Sequence, residues 1–387
     1  MYLFCFCRSL NIYYFFCLTF ILVAFFSPSK TFAQKTDNLT ASKSICWNSN
    51  DKNIGRNHIA SDKEAIFVAY LNGYLASINI KTGIKNWTAN LGGEIVSDPL
   101  IDKYDNTKVY IATKPLVPVD KQTVVNKISD GTVIRSINKV TGITNWKIDI
   151  KTTEEVFLYD NGESLIIISK DGKVLALNKL SVQPIWEISF GDTLTTVPFF
   201  SENSVTVTFA NKIVSVSLKD ASIYFQTELL SPATSLFGHL REKVFWGDEY
   251  GKVFRLNSFY KRSKANLWKF QNGAKISRII LTTKGLLLTS LDNFVYLISA
   301  EKGRLIWKKR LAGRITLDPL VNGEFVILSS SSNSEASVLD LNTGKIINQI
   351  SLAEGNFFLS PPVLTDSLLI FATAKGIFAF KDSFVAC

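Results

Sequence analysis

Residues that commonly perform catalysis are scarce in this chain of 387 residues. It contains two histidines, His58 and His239, and neither lies at a spacing typical of zinc ligands. No Gly-x-Ser-x-Gly motif is present, which excludes the nucleophile elbow that many hydrolases use. We therefore expect no catalytic residue, no metal and no cofactor, and we interpret the chain as a protein that is not an enzyme.

Cysteine is also rare, with five residues in the whole sequence. Three of them lie in the N-terminal segment, namely Cys5, Cys7 and Cys17. In this segment residues 10–26 form an uncharged apolar run, Arg8 precedes the run, and small residues at positions 31 and 33 permit cleavage after Ala33. This pattern predicts a signal peptide over residues 1–33 and export, to the periplasm or the periphery of the outer membrane. A retained N-terminal anchor is the alternative, because the run is close to the shortest length that spans a membrane.

The two cysteines outside this leader are Cys46 and Cys387, near opposite ends of the expected mature chain. An even number of cysteines in an exported protein is compatible with a disulfide, and two unpaired thiols are the alternative. Cys17 does not read as a lipoprotein cysteine, because Tyr14 stands three residues before it, where a small residue is needed.

The net charge of +10 comes from basic residues that are scattered along the chain and not massed in one block. This distribution indicates a solvated basic surface, with weak attraction to anionic lipid or to an acidic partner as the alternative. We expect no nucleic-acid partner outside the cytoplasm, and membrane association that is peripheral at most.

A repeat organises the rest of the sequence. Residues 292–307 (DNFVYLISAEKGRLIW) alternate like a strand, turn at Lys-Gly, and begin a second strand that reaches Trp307. Similar segments end at the other repeat tryptophans, and Trp47 closes a similar fragment (KSICW) near the N-terminus. The tryptophans that we assign to this repeat are Trp47, Trp87, Trp146, Trp186, Trp268 and Trp307. A period of about 40 residues with several strands per unit predicts a β-propeller.

Each unit also has two preceding strands, so that it reads as a four-stranded antiparallel blade. The last unit has three clear strands and lacks a fourth, which residues 43–47 can supply. The sequence therefore predicts an all-β, eight-bladed propeller over residues 43–387, closed by its N-terminal strand and preceded by a short linker at 34–42. Seven blades is the alternative. We expect the tryptophans to fill the space between blades and not to form a cofactor cage.

The strand followed by (Thr/Lys/Asp)-Gly-x-(Ile/Leu)-x-Trp resembles the quinoprotein (PQQ-like) propeller repeat. Eight such blades behind an export signal resemble the BamB-type propeller subunit of the outer-membrane β-barrel assembly machinery, most closely at residues 343–380. This resemblance implies a non-catalytic scaffold that assists barrel assembly, with the barrel-assembly channel protein as its partner. Two other functions remain open: a sensor of an envelope ligand or polymer, and, more remotely, a quinone-dependent dehydrogenase. Such dehydrogenases use an adjacent cysteine pair, which the expected mature chain lacks.

The chain departs from the family pattern in its leader and in its linkers. Members of the family carry partner-binding linkers that resemble Leu-x-Leu-Arg and Asp-x-Asp, and the corresponding linkers here, residues 188–198 and 229–238, contain neither. Partner contact is therefore assigned by position. The residues assigned are Asp192, Leu194 and Leu236 in the linkers, and Leu116 and Val117 in an insertion at residues 114–129. The insertion is either a loop that contacts the partner or a surface loop with no binding role.

Overall fold

The computed structural model describes residues 45–55, 59–115, 131–152, 154–239, 243–257, 269–365 and 368–381. Within these ranges every regular element is a β-strand. The described part of the chain contains no helix with the length and apolar character needed to cross a membrane.

The described residues form thirty-three strands, numbered here in chain order. Strand β1 is Ile45–Ser49. Blade 1 contains β2 (Ala60–Ser61), β3 (Ala65–Ala69), β4 (Tyr74–Asn79) and β5 (Lys85–Asn90). Blade 2 contains β6 (Gly93–Ile95), β7 (Leu100–Ile101), β8 (Lys108–Pro115), β9 (Thr132–Asn138) and β10 (Thr144–Ile150). Blade 3 contains β11 (Val156–Asn161), β12 (Ser164–Ser169), β13 (Lys173–Asn178) and β14 (Pro184–Ser189). Blade 4 contains β15 (Phe199–Phe200), β16 (Ser204–Thr208), β17 (Lys212–Ser217) and β18 (Ile223–Glu228).

The second half of the ring follows the same scheme. Blade 5 contains β19 (Ala233–His239), β20 (Lys243–Asp248), β21 (Lys252–Asn257) and β22 (Lys269–Gln271). Blade 6 contains β23 (Ile276–Thr282), β24 (Gly285–Ser290), β25 (Phe294–Ile298) and β26 (Leu305–Arg310). Blade 7 contains β27 (Leu320–Asn322), β28 (Phe325–Leu328), β29 (Glu335–Asp340) and β30 (Ile346–Ser351). Blade 8 contains β31 (Val363–Leu364), β32 (Leu368–Thr373), β33 (Gly376–Lys381) and the N-terminal β1.

These strands form eight antiparallel sheets in the described residues, which confirms the eight-bladed propeller and excludes the seven-bladed alternative. Consecutive strands pair within a blade, except that the first strand of blade 2 is divided into β6 and β7, which both pair with β8. Prolines directly precede several of the first strands, as Pro198 precedes β15 and Pro319 precedes β27. Proline is tolerated there because no ladder hydrogen bond is lost.

The middle strands of each blade are apolar on both faces because the blades pack against one another. Strand β12 is buried along its whole length, whereas β14 alternates between exposed and half-buried residues. Eight apolar clusters occur among the described residues, and each joins two neighbouring blades. The core is therefore a ring of interfaces between blades and not one central mass.

Strand β1 closes the ring by pairing antiparallel with β33. Trp47 lies opposite Ala379, and Ser49 lies opposite Ile377. This register confirms that the N-terminal strand completes the last blade, and it removes two free sheet edges. Cys46 is disulfide-bonded. The other four cysteines lie outside the described residues, so its pairing with Cys387 stays a prediction.

A meander of antiparallel strands places its connections on two opposite faces. We call the face with the turns after first and third strands the bottom face. The top face carries the turns after second strands and the linkers between blades. First strands of neighbouring blades contact one another, as β15 and β19 do, and therefore line the centre of the ring.

A repeat tryptophan joins several of the described blades to the next blade. The Trp87 indole N–H donates to the carbonyl oxygen of Lys139 in blade 2 at 2.8 Å, and its ring packs on the turn at Gly142. A Cβ atom on Gly142 would lie 2.7 Å from the Trp87 ring, and the residue has a φ of +73°. Trp47 and Trp307 make the same indole bond, to the carbonyls of Ile80 and Leu341. Trp268 lies outside the described residues.

The joint between blades 2 and 3 departs from this arrangement. Val182 takes the position of the turn glycine and has a φ of 56°, a conformation that β-branched residues rarely adopt. Val182 and Trp146 pack against the same apolar cluster, and the Trp146 indole N–H has no hydrogen-bond partner among the described residues. At this joint, therefore, the Val182 side chain replaces the turn glycine and the Trp146 indole makes no hydrogen bond like that of Trp87.

Candidate partner-binding surface on the top face

Two cavities occupy the channel at the centre of the ring. The larger, of about 570 Å³, is lined by the first strands and linkers of blades 2 to 4, and the smaller, of about 380 Å³, by those of blades 3 to 7. They share a wall made by Glu155, Phe157, Val197 and Pro198, so they form one continuous depression. We call it the channel depression.

Charges of both signs line the channel depression, and several of them are paired. The Lys170 ammonium lies 3.8 Å from the Glu155 carboxylate within blade 3. Arg278 of blade 6 forms an ion pair with Asp318 of blade 7 and donates to the Ser277 carbonyl oxygen at 2.9 Å. The lining is therefore close to neutral and offers a partner both polar groups and apolar walls.

The linker between blades 3 and 4 is fixed to the scaffold on both sides. The Phe190 N–H donates to the Gly172 carbonyl at 3.0 Å, and the Leu194 N–H donates to the Lys170 carbonyl at 2.8 Å. On the other side, the Thr195 N–H donates to the Thr208 carbonyl at 2.9 Å. These bonds hold the linker in one conformation, which lowers the entropic cost of presenting it to a partner.

The structure brings Leu194 and Leu236 to the same place and shows which way each points. Both border the smaller cavity, but Leu194 is only 4% exposed and packs in the core between blades 3 and 4. Leu236 is half-buried and packs near Trp246 in the core between blades 4 and 5. Asp192 is half-buried and does not border either cavity.

Residues next to the predicted ones are better placed for contact. Thr195 and Val197 alternate with Leu194 along the linker and are exposed, Val197 to 52%. In the next linker Leu230 is 99% exposed on the top face. The period-2 alternation of an extended segment could have indicated this pattern, because one buried leucine implies exposed neighbours.

Most of the insertion at residues 114–129, including Leu116 and Val117, lies outside the described residues, so partner contact by these two residues stays a prediction. Its base is described. Lys114 lies opposite Glu94 in the pairing of β8 with β6, and both residues border the larger cavity. The insertion therefore begins at the rim of the channel depression, on the top face.

A buried ionic group that sequence reasoning missed lies at the joint of blades 2 and 3. The Lys179 ammonium donates to the carboxylates of Asp102 at 2.9 Å and of Asp160 at 2.8 Å. The Tyr110 hydroxyl donates to the same Asp102 carboxylate oxygen, Oδ2, at 2.8 Å. All of these side chains are almost fully buried. The partners are far apart in sequence, so no local pattern signals them.

The pKa values indicate that this group is structural. Burial by itself would raise the pKa of Asp102, but hydrogen bonds from the Asp105 N–H, Lys179 and Tyr110 outweigh burial and lower it to about 2. Burial would lower the pKa of Lys179, but the bonds to Asp160 and Asp102 raise it. Both groups stay charged near neutral pH, so this pair is not suited to proton transfer. In the described ranges no group of three or more His, Cys, Asp or Glu residues could hold a metal ion.

A comparison with known protein families supports the propeller repeat. The family model of the outer membrane protein assembly factor BamB matches residues 37–149, 129–259 and 252–356. Together these segments span most of the ring. No curated protein matches the sequence at a significant level.

Solved structures with the same fold include the BamB crystal structure from Moraxella catarrhalis, with a TM-score of 0.67, 13% identity, and coverage of 90% of this chain and 100% of that chain. The computationally designed protein Ika8 matches with a TM-score of 0.70, 12% identity, and coverage of 88% and 100%. Sqt1 from Saccharomyces cerevisiae matches with a TM-score of 0.67, 11% identity, and coverage of 89% and 100%. At these identities the similarity shows the fold alone.

Proposed function

The chain belongs to the family of the outer membrane protein assembly factor BamB, and from this premise we propose that it is an exported, non-catalytic scaffold that assists assembly of outer-membrane β-barrel proteins. Its partner would be the channel protein of the barrel-assembly machinery. The top face would hold this partner at the channel depression.

One observation carries the proposal most directly: the two linkers between blades 3 and 5 and the base of the insertion all meet the channel depression on one face. Thr195 and Val197 border the depression and are exposed on a backbone that is hydrogen-bonded to the scaffold, and Leu230 is exposed on the same face. The flanking first strands line the centre of the ring, which is where a partner strand would add. A preordered, partly apolar rim favours binding to a protein over binding to a single ion.

The test uses a photo-crosslinking residue at Thr195 in cells that express the full chain. We expect it to capture the channel protein of the barrel-assembly machinery. The same residue at Ile84, which is 67% exposed on the bottom face, is the matched control and should capture none. Val197→Asp should weaken co-purification of that channel protein, whereas Ile84→Asp should not. Equal capture from both positions, or none from Thr195, would contradict the proposal.

The volume of the channel depression supports a second candidate, a sensor of a small envelope ligand. Cavities of about 570 and 380 Å³ fall in the range that small-molecule sites occupy. A ligand that binds only the folded state raises the melting temperature with concentration, as mass action requires. A saturable shift with a soluble saccharide, combined with no crosslink from Thr195, would favour the sensor.

We further expect no quinone cofactor. Titration with pyrroloquinoline quinone and Ca²⁺ should leave tryptophan fluorescence and the melting temperature unchanged. A saturable stabilisation would instead place the protein among quinone-dependent enzymes. Export through residues 1–33 is tested by the N-terminal sequence of the protein recovered from the cell envelope, which should begin at Gln34.

A further inference from the structure

Blade 6 carries an excess of positive charge. Between Ile276 and Arg310 the sequence has seven basic residues and two acidic ones, a net charge of +5 out of +10 for the whole chain. Blade 7, between Leu320 and Ser351, has one basic residue and three acidic ones. The basic residues are therefore unevenly distributed around the ring, and blade 6 is one place where they accumulate.

The outer strand of blade 6, β26, ends in three successive cations, Lys308, Lys309 and Arg310. Lys308 and Arg310 are exposed, and Lys309 is half-buried. None of the three forms an ion pair with a residue that the structure describes. In blade 1, by contrast, the outer-strand residue Lys85 is paired with Asp51 at 2.6 Å. The charge on β26 is therefore uncompensated within the described protein.

Aromatic rings lie beneath the cations on one face of the blade. In the pairing of β26 with β25, Lys308 lies opposite Tyr296 and Arg310 lies opposite Phe294. The Lys308 ammonium is 5.6 Å from the centroid of the Phe294 ring, and the Phe294 and Tyr296 rings are 5.8 Å apart. The Phe270 ring of blade 5 contacts Tyr296 edge-on at 5.4 Å. These contacts position the Lys308 ammonium beside the strand.

The backbone of β26 has a free outer edge. It is the last strand of its sheet, and no described strand pairs with its outer side. Directly after the strand, the Leu311 N–H donates to the Asn293 carbonyl oxygen at 2.9 Å. Inward and outward backbone groups alternate along an antiparallel edge strand, so the N–H and C=O groups of Lys309 point to β25 and those of Lys308 and Arg310 point outward. The edge therefore offers donors and acceptors to an added strand, next to two cations.

The side chains of β26 decide which kind of strand can add. Leu305 and Ile306, directly before Trp307 and the cations, are 45% and 50% exposed, so an added strand also covers apolar surface. Pairing two copies of β26 through residues 308–310 would place cations opposite cations, which is unfavourable. A strand with carboxylates at these positions is attracted instead. A phospholipid headgroup would meet the cations but has no backbone to pair with the edge.

We infer that the outer edge of β26 binds an acidic, extended polypeptide segment by strand addition, with its carboxylates beside Lys308, Lys309 and Arg310. First strands line the centre of the ring, so this fourth strand lies on its circumference. The site shares no residue with the channel depression and does not depend on the proposed function. Salt should weaken the binding by screening the charges, and the backbone pairing and apolar contacts should remain.

The test measures fluorescence anisotropy of a labelled peptide of alternating glutamate and valine, titrated with the purified full chain. We expect saturable binding. Lys308→Glu with Arg310→Glu should weaken it roughly tenfold or more, because two attractive cross-strand pairs become repulsive. The matched control, Lys63→Glu with Lys81→Glu, makes the same change in net charge at two exposed residues of blade 1 and should bind like the wild type. All three proteins should have the same melting temperature, because the substituted side chains are exposed.

Two further peptides and one lipid probe define what the edge recognises. A peptide of alternating glutamine and valine should bind roughly tenfold more weakly, since it lacks the carboxylates. The glutamate peptide with every amide N-methylated should not bind, because it keeps the charge and has no N–H to donate to the strand edge. Vesicles that contain phosphatidylglycerol should carry the wild type and the β26 variant equally in flotation.

Four results would overturn the inference. Equal affinity of the β26 variant and the wild type would place peptide binding elsewhere. Equal binding of the glutamine peptide would show that acidic residues are not recognised. Equal binding of the N-methylated peptide would show charge attraction without strand addition. Flotation of the wild type but not of the β26 variant, together with absent peptide binding, would make this edge a lipid-binding surface.

Discussion

The contact between a repeat tryptophan and the next blade gives a sharp prediction, for Gly142→Ala. The new Cβ would lie 2.7 Å from the Trp87 ring, and the residue would have to hold a φ of +73°. The left-handed conformation costs an L-residue about 1–2 kcal/mol. Displacing Trp87 would also weaken its indole bond to Lys139, which contributes about 1 kcal/mol net and costs more if the N–H is left buried and unpaired. We expect a loss of about 2–4 kcal/mol in the free energy of unfolding.

A second glycine in the same protein separates the two contributions. Gly92 has a φ of +69°, and nothing lies within 4 Å of a Cβ placed on it. Gly92→Ala should therefore cost only the conformational part, about 1–2 kcal/mol. The difference between the two variants measures the tryptophan contact.

The assay is urea unfolding followed by tryptophan fluorescence, with the midpoint compared at constant m-value. Trp87→Phe removes the indole donor, so the effects of Trp87→Phe and Gly142→Ala should be less than additive in the double variant. If Gly142→Ala and Gly92→Ala cost the same, or if the double variant is strictly additive, the tryptophan contact does not stabilise the joint and the reasoning is refuted.

The joint between blades 2 and 3 and the closure of blade 8 give four further predictions. Val182→Gly should raise the free energy of unfolding by about 1 kcal/mol, because it relieves a φ of 56°; a lower urea midpoint would contradict this. Lys179→Met should cost about 3–5 kcal/mol by leaving two buried carboxylates without their cation, and an unchanged midpoint would show that they are hydrated. The pKa of Asp102 in the folded protein, about 2, is below its ordinary value of 3.8, so its contribution to the free energy of unfolding is present above pH 4 and lost as pH falls toward 2. If the wild type and Asp102→Asn lose stability equally as the pH falls, this prediction is wrong. If Cys46 pairs with Cys387, Cys387 should resist alkylation until reductant is added, and free reactivity would exclude the pair.

The partner-binding residues show where sequence reasoning reached its limit. The sequence indicated which connections are linkers between blades, and a meander with short turns places all of these linkers on one face. It did not indicate that Leu194 faces the core and Val197 the channel, since that depends on how the linker is bonded to Lys170 and Thr208. The positions of Leu116 and Val117 lie outside the described residues and stay a prediction.

The blade and its repetition follow from local patterns in the sequence. Alternating apolar residues, a turn and a tryptophan recur about every 40 residues, and a two-faced apolar hairpin needs neighbours on both sides. The missing fourth strand of the last unit likewise implied closure by residues near Trp47, because an unpaired edge is costly. These features are local, and each copy supports the others.

The polar and apolar groups that meet across the joints follow from the packing of the blades and could not be read from the sequence. Lys179 contacts Asp102, 77 residues away in sequence, and Trp87 donates to a carbonyl 52 residues away. Likewise, the exposure of Leu180 and the burial of Leu194 follow from the direction in which the ring turns each strand end. The physical reason is that a side chain's partners in a propeller belong to the neighbouring blade, and the relative placement of two blades is set by their whole packed interface, not by either sequence segment alone.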